Sequence, residues 1–260
     1  MNRIITLTTD FGTRDGFVGA IKGVILSINP RALIVDITHD IEPQNIRHAA
    51  FVIAASAAYY PPKTIHVVVV DPGVGTTRQP IVANARGMFF VAPANGVLAL
   101  VMPRDSNTQT FLLNESKYWL REISNTFHGR DIFAPVAAHI SLGVPLTDLG
   151  ELIDLKSEPD WFPKIGTHRN GEQVGQIIHV DRFGNLITNF SAETLDAAKS
   201  KPMIKIAGRQ LRGLKQTYAD GARGELIALI NSFGLMEIAI RDGNAAQELQ
   251  ARVGTPVTIL

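Results

Sequence analysis

Two aspartates, Asp10 and Asp71, stand at the carboxyl ends of β-branched runs, Ile4–Thr9 and residues 65–70, and open the glycine-bearing loops DFGTRDG and DPGVGTTR. In open α/β sheets ligands bind beyond those strand ends, so both carboxylates are candidates to meet a substrate. Either alone serves equally well as a turn cap; two together, each with a glycine-bearing loop, favour a shared polar cleft. His128 is a third candidate, in NTFHGRDIFAP before a helix-like run. A loop histidine is ordinarily a solvated surface residue. Here Phe127 and Gly129 flank it, and Arg130-Asp131 has the character of a helix start.

The loop from Gly73 to Arg78, GVGTTR, begins like the G-x-G-x-x-G dinucleotide fingerprint. Arg78 stands where the third glycine belongs, and residues 79–82 lead into a β-like run rather than a helix whose N-terminus could hold a pyrophosphate. That weighs against phosphate binding. The other histidines, His39, His48, His66, His139, His168 and His179, show no metal-ligand spacing, and no H-E-x-x-H occurs, so no metal site is expected.

A second cluster lies late in the chain. His179-Val-Asp181-Arg-Phe183-Gly184-Asn185 reads as a turn between strands, and Asn231-Ser232-Phe233-Gly234 as another, with Glu237 in the strand that follows. These are good turn residues. They are equally suited to hydrogen-bonding a heterocycle while phenylalanine stacks on it, and composition does not decide between the two.

The elements that must carry these residues alternate in the first half. Helical spacing marks residues 15–28 and 44–59, strand patterns mark 33–37 and 88–91, and a further helix is expected over 131–142. Four consecutive valines before Asp71 predict a parallel strand buried on both faces. The expected class is α/β with a parallel, Rossmann-like sheet over residues 1–160. Residues 161–172 fall in a polar, proline- and glycine-containing linker. Over 173–260, short β-like runs at 175–180, 186–190, 203–206, 226–230, 236–240 and 256–260 predict a smaller antiparallel sheet or β-barrel.

Bulk composition narrows the function classes. The 260 residues carry a formal charge of +1 with no basic stripe, so nucleic-acid binding is not expected. Cysteine is absent, which removes disulfides, thiolate nucleophiles and Cys-based zinc sites and suits a reducing cytoplasm. Polar and acidic residues within the first ten argue against a signal peptide, and apolar stretches such as residues 49–60 are too short to span a membrane.

The motifs TTDFGTRDGFVGAIKG, VDPGVGTTR, FHGRD, VDRFGNLITN and NSFGLMEIA, in this order, resemble those of the S-adenosylmethionine hydroxide adenosyltransferases, the adenosine-forming S-adenosylmethionine hydrolases. The resemblance runs from Asp10 to about residue 246. It implies an N-terminal α/β domain, a C-terminal β-barrel, and a homotrimer with sites formed between subunits. It implies a small-molecule substrate, S-adenosyl-L-methionine, with no cofactor. It places an Asp–Arg–His triad around the nucleophilic water at Asp71, Arg78 and His128. It further puts Asp10 on the ribose hydroxyls, Asn185, Ser232 and Glu237 around the nucleoside, the backbone near Ile240 on adenine, and Asp181 and Phe183 at the amino-acid end or the ring.

The implied chemistry suits these residue types. A sulfonium makes C5′ electrophilic, and methionine leaves as a neutral thioether, so leaving-group protonation and a Lewis acid are unnecessary. Water is the poor partner, and an arginine cation stabilises its developing hydroxide character, while a carboxylate and an imidazole orient it and take its proton. Arg78 could also be a structural partner that keeps Asp71 ionised, which is compatible with that role. Two alternatives stand beside hydrolysis. A halogenase, related by the same resemblance, would lack the aspartate and histidine matching Asp71 and His128. A nucleoside-binding protein without chemistry would have no need of Asp71, Arg78 and His128 together.

Overall fold

The chain divides into two units, Met1–Asp160 and Trp161–Leu260. The computed structural model describes residues 3–102, 108–155, 159–161, 163–167, 171–196 and 202–260. Part of the expected linker, with His168, lies outside the described residues.

In the N-terminal unit the strands are β1 (Ile4–Thr9), β2 (Leu33–Thr38), β3 (Ile65–Val69), β4 (Pro80–Ala85), β5 (Met88–Pro93), β6 (Gln109–Leu112) and β7 (Leu152–Ile153). They form one sheet in the order β2-β1-β3-β5-β4-β6-β7. The first four in that order run parallel. Because β3 lies inside the sheet with helices over both faces, all five of its residues are buried, as the valine run predicts.

One face is covered by α1 (Phe17–Ile28) and α3 (Ala134–Ser141), where Ile21 and Ile25 meet Ile5, Leu7, Val67 and Val69. The other is covered by α2 (Ile46–Ala57), whose Ala49, Ile53 and Ala57 pack with Val68, Val70 and Phe90. Alanines let α2 approach closely, and Asn45 caps it by accepting from the His48 N–H at 2.9 Å. The expected helix over 131–142 begins differently: Gly129–Phe133 is one π-helical turn, which leads into α3.

The sheet is not parallel throughout. β4 pairs antiparallel with both β5 and β6, and β6 with β7. Between β4 and β5 the cause is a two-residue turn, Arg86-Gly87, with φ of 52° and 74°, the left-handed pair that folds a hairpin with the correct twist. No crossover helix fits between those two strands, so they must be antiparallel.

The strands of the C-terminal unit pair antiparallel with one another: β8 (Gly166–Thr167), β9 (Gln173–Val180), β10 (Leu186–Ser191), β11 (Met203–Ile206), β12 (Arg209–Arg212), β13 (Leu226–Ile230), β14 (Leu235–Ile240) and β15 (Pro256–Ile259). Seven of these follow the order β12-β11-β15-β9-β10-β14-β13, and β8 pairs with β9. Beyond β12 the chain folds onto β13, where the Lys215 N–H donates to the Ala228 carbonyl at 2.8 Å. That contact nearly closes the sheet into a barrel around Ile177, Leu186, Phe190, Ile204, Ile238 and Val257. Short helices α4 (Ala192–Asp196) and α5 (Ala245–Leu249) follow β10 and β14. Among the described residues no helix is long and apolar enough to cross a membrane.

Candidate active site

Adjacent strands deliver the two carboxylates. β1 and β3 pair in register, Thr9 against Val69, so Asp10 and Asp71 emerge from the same edge of the sheet. Both line a cleft of about 280 Å³ together with Phe11, Gln44, Val74, Phe127 and His128. The shared polar cleft expected from two strand ends is therefore present. Asp10 also has a local task there, since its Oδ2 accepts from the backbone N–H of Gln44 at 2.8 Å.

Arg78 returns to Asp71 along the 71–78 loop. Its Nε donates to Asp71 Oδ1 at 3.0 Å and its Nη2 to Asp71 Oδ2, a two-pronged pairing. The side chains of Arg78 and Asp71 are 7% and 6% exposed. Nη2 also reaches His128 Nδ1 at 3.1 Å, and the guanidinium lies 5.3 Å from the centre of the Phe133 ring. The remaining Nη1 is buried and makes no hydrogen bond among the described residues. Asp71, Arg78 and His128 thus form one connected chain, 50 residues apart at its longest link.

A tight loop contact explains how His128 arrives. Gly75 has φ +77°, and the carbonyl oxygen of Asn125 lies within clashing distance of where its β-carbon would be. A side chain there would push the 124–128 segment away from the 71–78 loop. Gly129 is similarly confined, with Phe11, Ile21 and Phe127 each 3.4 Å from a β-carbon built on it. Phe11, Phe17 and Phe127 pack ring to ring, with centroids 5.3 to 5.9 Å apart.

Burial raises the Asp71 carboxyl above the ordinary aspartate value, against the opposing charge and hydrogen bonds of Arg78. Burial lowers His128, helped by the Arg78 charge and opposed by Asp71 and Asp131. Arg78 can only donate, so His128 Nδ1 accepts, and the neutral ring carries its proton on Nε2. The group is thus a weakened acid, a fixed cation and a neutral imidazole.

Within the C-terminal unit, Asp181 organises its own turn. Its Oδ1 accepts from the N–H groups of Phe183 and Asn185 and its Oδ2 from Asn185 Nδ2, each at 2.9 Å. Glu237 is 3% exposed, accepting from the Tyr218 hydroxyl at 2.6 Å and from Asn231 Nδ2 at 3.3 Å. Burial raises Glu237, an effect its two hydrogen bonds oppose and the nearby Asp181 charge reinforces. Ser232 is exposed in the turn between β13 and β14, beside Asn231. The Ile240 carbonyl accepts from the Gly243 N–H at 3.0 Å, and Phe183 is exposed. Tyr218 and Asn231 were not singled out as partners of Glu237 by sequence; the signal for Tyr218 lay in a capped turn, Thr217 to Asp220, that holds it.

Comparisons with known proteins cover almost the whole chain. The description "SAM hydroxide adenosyltransferase N-terminal domain" matches residues 5–150, and the corresponding C-terminal domain matches residues 175–258. Proteins named (R)-S-adenosyl-L-methionine hydrolase are similar: one from Salinispora tropica is 35% identical over 96% of this chain and 95% of its own length. One from Methanocaldococcus jannaschii is 36% identical over 95% and 91%. A fluorinase from an Actinoplanes species is 28% identical over 99% of this chain and 97% of its own length. The crystal structure of an uncharacterised conserved protein from Thermotoga maritima superposes with a TM-score of 0.89 at 36% identity, covering 98% of this chain and 99% of that one. With two matching domains in order and a polar cleft built from its motifs, the chain belongs to the SAM hydroxide adenosyltransferase family.

Proposed function

We propose that this protein hydrolyses S-adenosyl-L-methionine to adenosine and L-methionine by attack of water on C5′. The observation that carries this is the Asp71–Arg78–His128 chain in a cleft shared with Asp10, and the hydrolase names of its relatives support it. The water oxygen bonds to C5′, the C5′–S bond breaks, and its electron pair stays on the neutral methionine thioether. The geometry supports a division of labour. Asp71, raised by burial, accepts the water proton. Arg78, with an unpaired buried N–H, stabilises the developing hydroxide. His128 donates from Nε2 and holds the oxygen in line with the C5′–S bond. A halide would sit against the Asp71 carboxylate, which favours water over the fluorinase-type reaction.

The rest of the substrate is assigned by family resemblance. Asp10 takes the ribose hydroxyls, and Asn185, Ser232, Glu237 and the backbone near Ile240 take the nucleoside. In this proposal Asn185, Ser232, Glu237 and the Ile240 backbone come from the barrel of a neighbouring subunit in a homotrimer, acting in the cytoplasm without nucleic acid or membrane. Incubation with S-adenosyl-L-methionine in ¹⁸O-water, followed by chromatography and mass analysis, tests the reaction. Adenosine labelled at its 5′-oxygen plus unlabelled methionine is expected. Absence of both products overturns the proposal. Light scattering tests the trimer, and a monomer would refute the shared site.

A further inference from the structure

Asp131 is fully buried, yet it is neither a member of the Asp71–Arg78–His128 chain nor a lining group of the cleft. Every polar group it owns is engaged. Its Oδ2 accepts from the Ser124 N–H at 2.7 Å, and its Oδ1 accepts from Arg130 Nε at 2.6 Å. Its backbone N–H donates to the Phe127 carbonyl at 3.1 Å, and its own carbonyl accepts from the Leu120 N–H at 2.9 Å. One residue therefore fastens a reversing loop at Leu120, Ser124 and Phe127, and it does so from within the π-helical turn that follows His128.

That loop reaches both halves of the site. Asn125, next to the fastened Ser124, is the residue whose carbonyl packs on Gly75 of the 71–78 loop. Phe127, also fastened, precedes His128. The charges acting on His128 are Arg78, Asp71 and Asp131, and Asp10 shares its cleft. Asp131 is the one carboxylate among these with no place in the cleft. Burying a carboxylate is costly unless it is paired and hydrogen-bonded. Arg130 supplies the pairing with a side chain that is 38% exposed.

We propose that Asp131 is a positioning residue for His128: its buried carboxylate holds the 124–128 segment against the 71–78 loop and supplies negative charge near the imidazole. The role rests on the hydrolase reading for its kinetic consequence, while its effect on the imidazole itself does not. Removing the Asp131 charge disfavours the imidazolium, and removing its partner Arg130 leaves that charge unneutralised and so favours it.

Asp131→Asn and Arg130→Ala test this with two readouts, the pH profile of kcat/KM and the ring-nitrogen NMR titration of His128. The expected result is a His128 titration and an acid limb moved to lower pH in Asp131→Asn, and both moved to higher pH in Arg130→Ala. Asp131→Ala, which also releases Ser124, is expected to lower kcat by about 10²-fold with KM little changed. Unmoved titrations in both charge variants, or shifts in the same direction, overturn the proposal. If Asp131→Asn shows no cooperative melting, the direction of the Arg130→Ala shift alone decides. A wild-type protein that forms no adenosine refutes the hydrolase reading and leaves the NMR test of Asp131 standing.

Discussion

The carbonyl of Asn125 would clash with a β-carbon on Gly75, so two loops meet at a point that favours glycine. One loop carries Asp71 and Arg78, and the other leads to His128. Gly75→Ala combines a left-handed φ of +77° with that collision. It is expected to destabilise the protein by about 1–3 kcal/mol. It should also lower kcat by about 10²-fold through displacement of the reacting groups. Thermal melting and steady-state kinetics check the two effects, and an unchanged kcat would separate the loop contact from catalysis.

Asp71→Asn and Arg78→Lys probe the ion pair within the chain. The amide cannot accept a proton from water, and lysine cannot reproduce the two-pronged contact or reach Asp71 and His128 at once. Each is expected to lower kcat by about 10²–10⁴-fold while adenosine binding, followed by calorimetry, stays measurable. Near wild-type turnover in either variant refutes the assigned roles.

The proposed chemistry needs Asp71 ionised and His128 neutral. Asp71 is raised above its ordinary value of 3.8 and His128 lowered below 6.5. Acidification protonates both, so kcat/KM falls on the acid side, with the His128 limb below pH 6.5 and the Asp71 limb above pH 3.8. A limb centred at or above pH 6.5 in the wild type, absent in His128→Gln, would contradict the lowered imidazole.

His66 governs stability instead. It lies inside β3, its Nδ1 2.7 Å from the Thr6 hydroxyl and its ring 4.9 Å from Phe90, and burial lowers its pKa to about 4. The unfolded chain protonates it near 6.5, so its stabilising contribution is complete above that pH and is lost as pH falls toward 4. The linked loss is on the order of 3 kcal/mol. Denaturant titrations at stepwise pH should show that decline, and His66→Phe, which keeps an aromatic ring beside Phe90, should flatten it.

How far the sequence was legible follows from which residues act locally. Asp10 and Asp71 could be placed because a strand's burial and its end are written in a few neighbouring residues, and the cleft between them was a fair consequence. The antiparallel half of the sheet was not, since Arg86-Gly87 lacks the usual Asn-Gly signal and becomes a hairpin turn only with Arg86 at φ 52°. Ala207-Gly208 hides β12 in the same way. The nearness of His128 to Arg78 is invisible to spacing, because it depends on a meeting of loops at Gly75 and Asn125. Only family resemblance joined those residues beforehand. Tyr218 was missed because its bond to Glu237 spans 19 residues and a strand boundary.

The pairing of β1 with β3 has one more consequence. Thr9 sits opposite Val69, so Asp10 lies one residue and Asp71 two residues beyond the last pair of two strands that the backbone holds about 4.8 Å apart. The separation of those two strand ends is a fixed gauge that side-chain changes do not reset. Whatever varies between members built this way has to vary in the loops above that gauge, which leaves the scaffold free to keep one measure while its contents change.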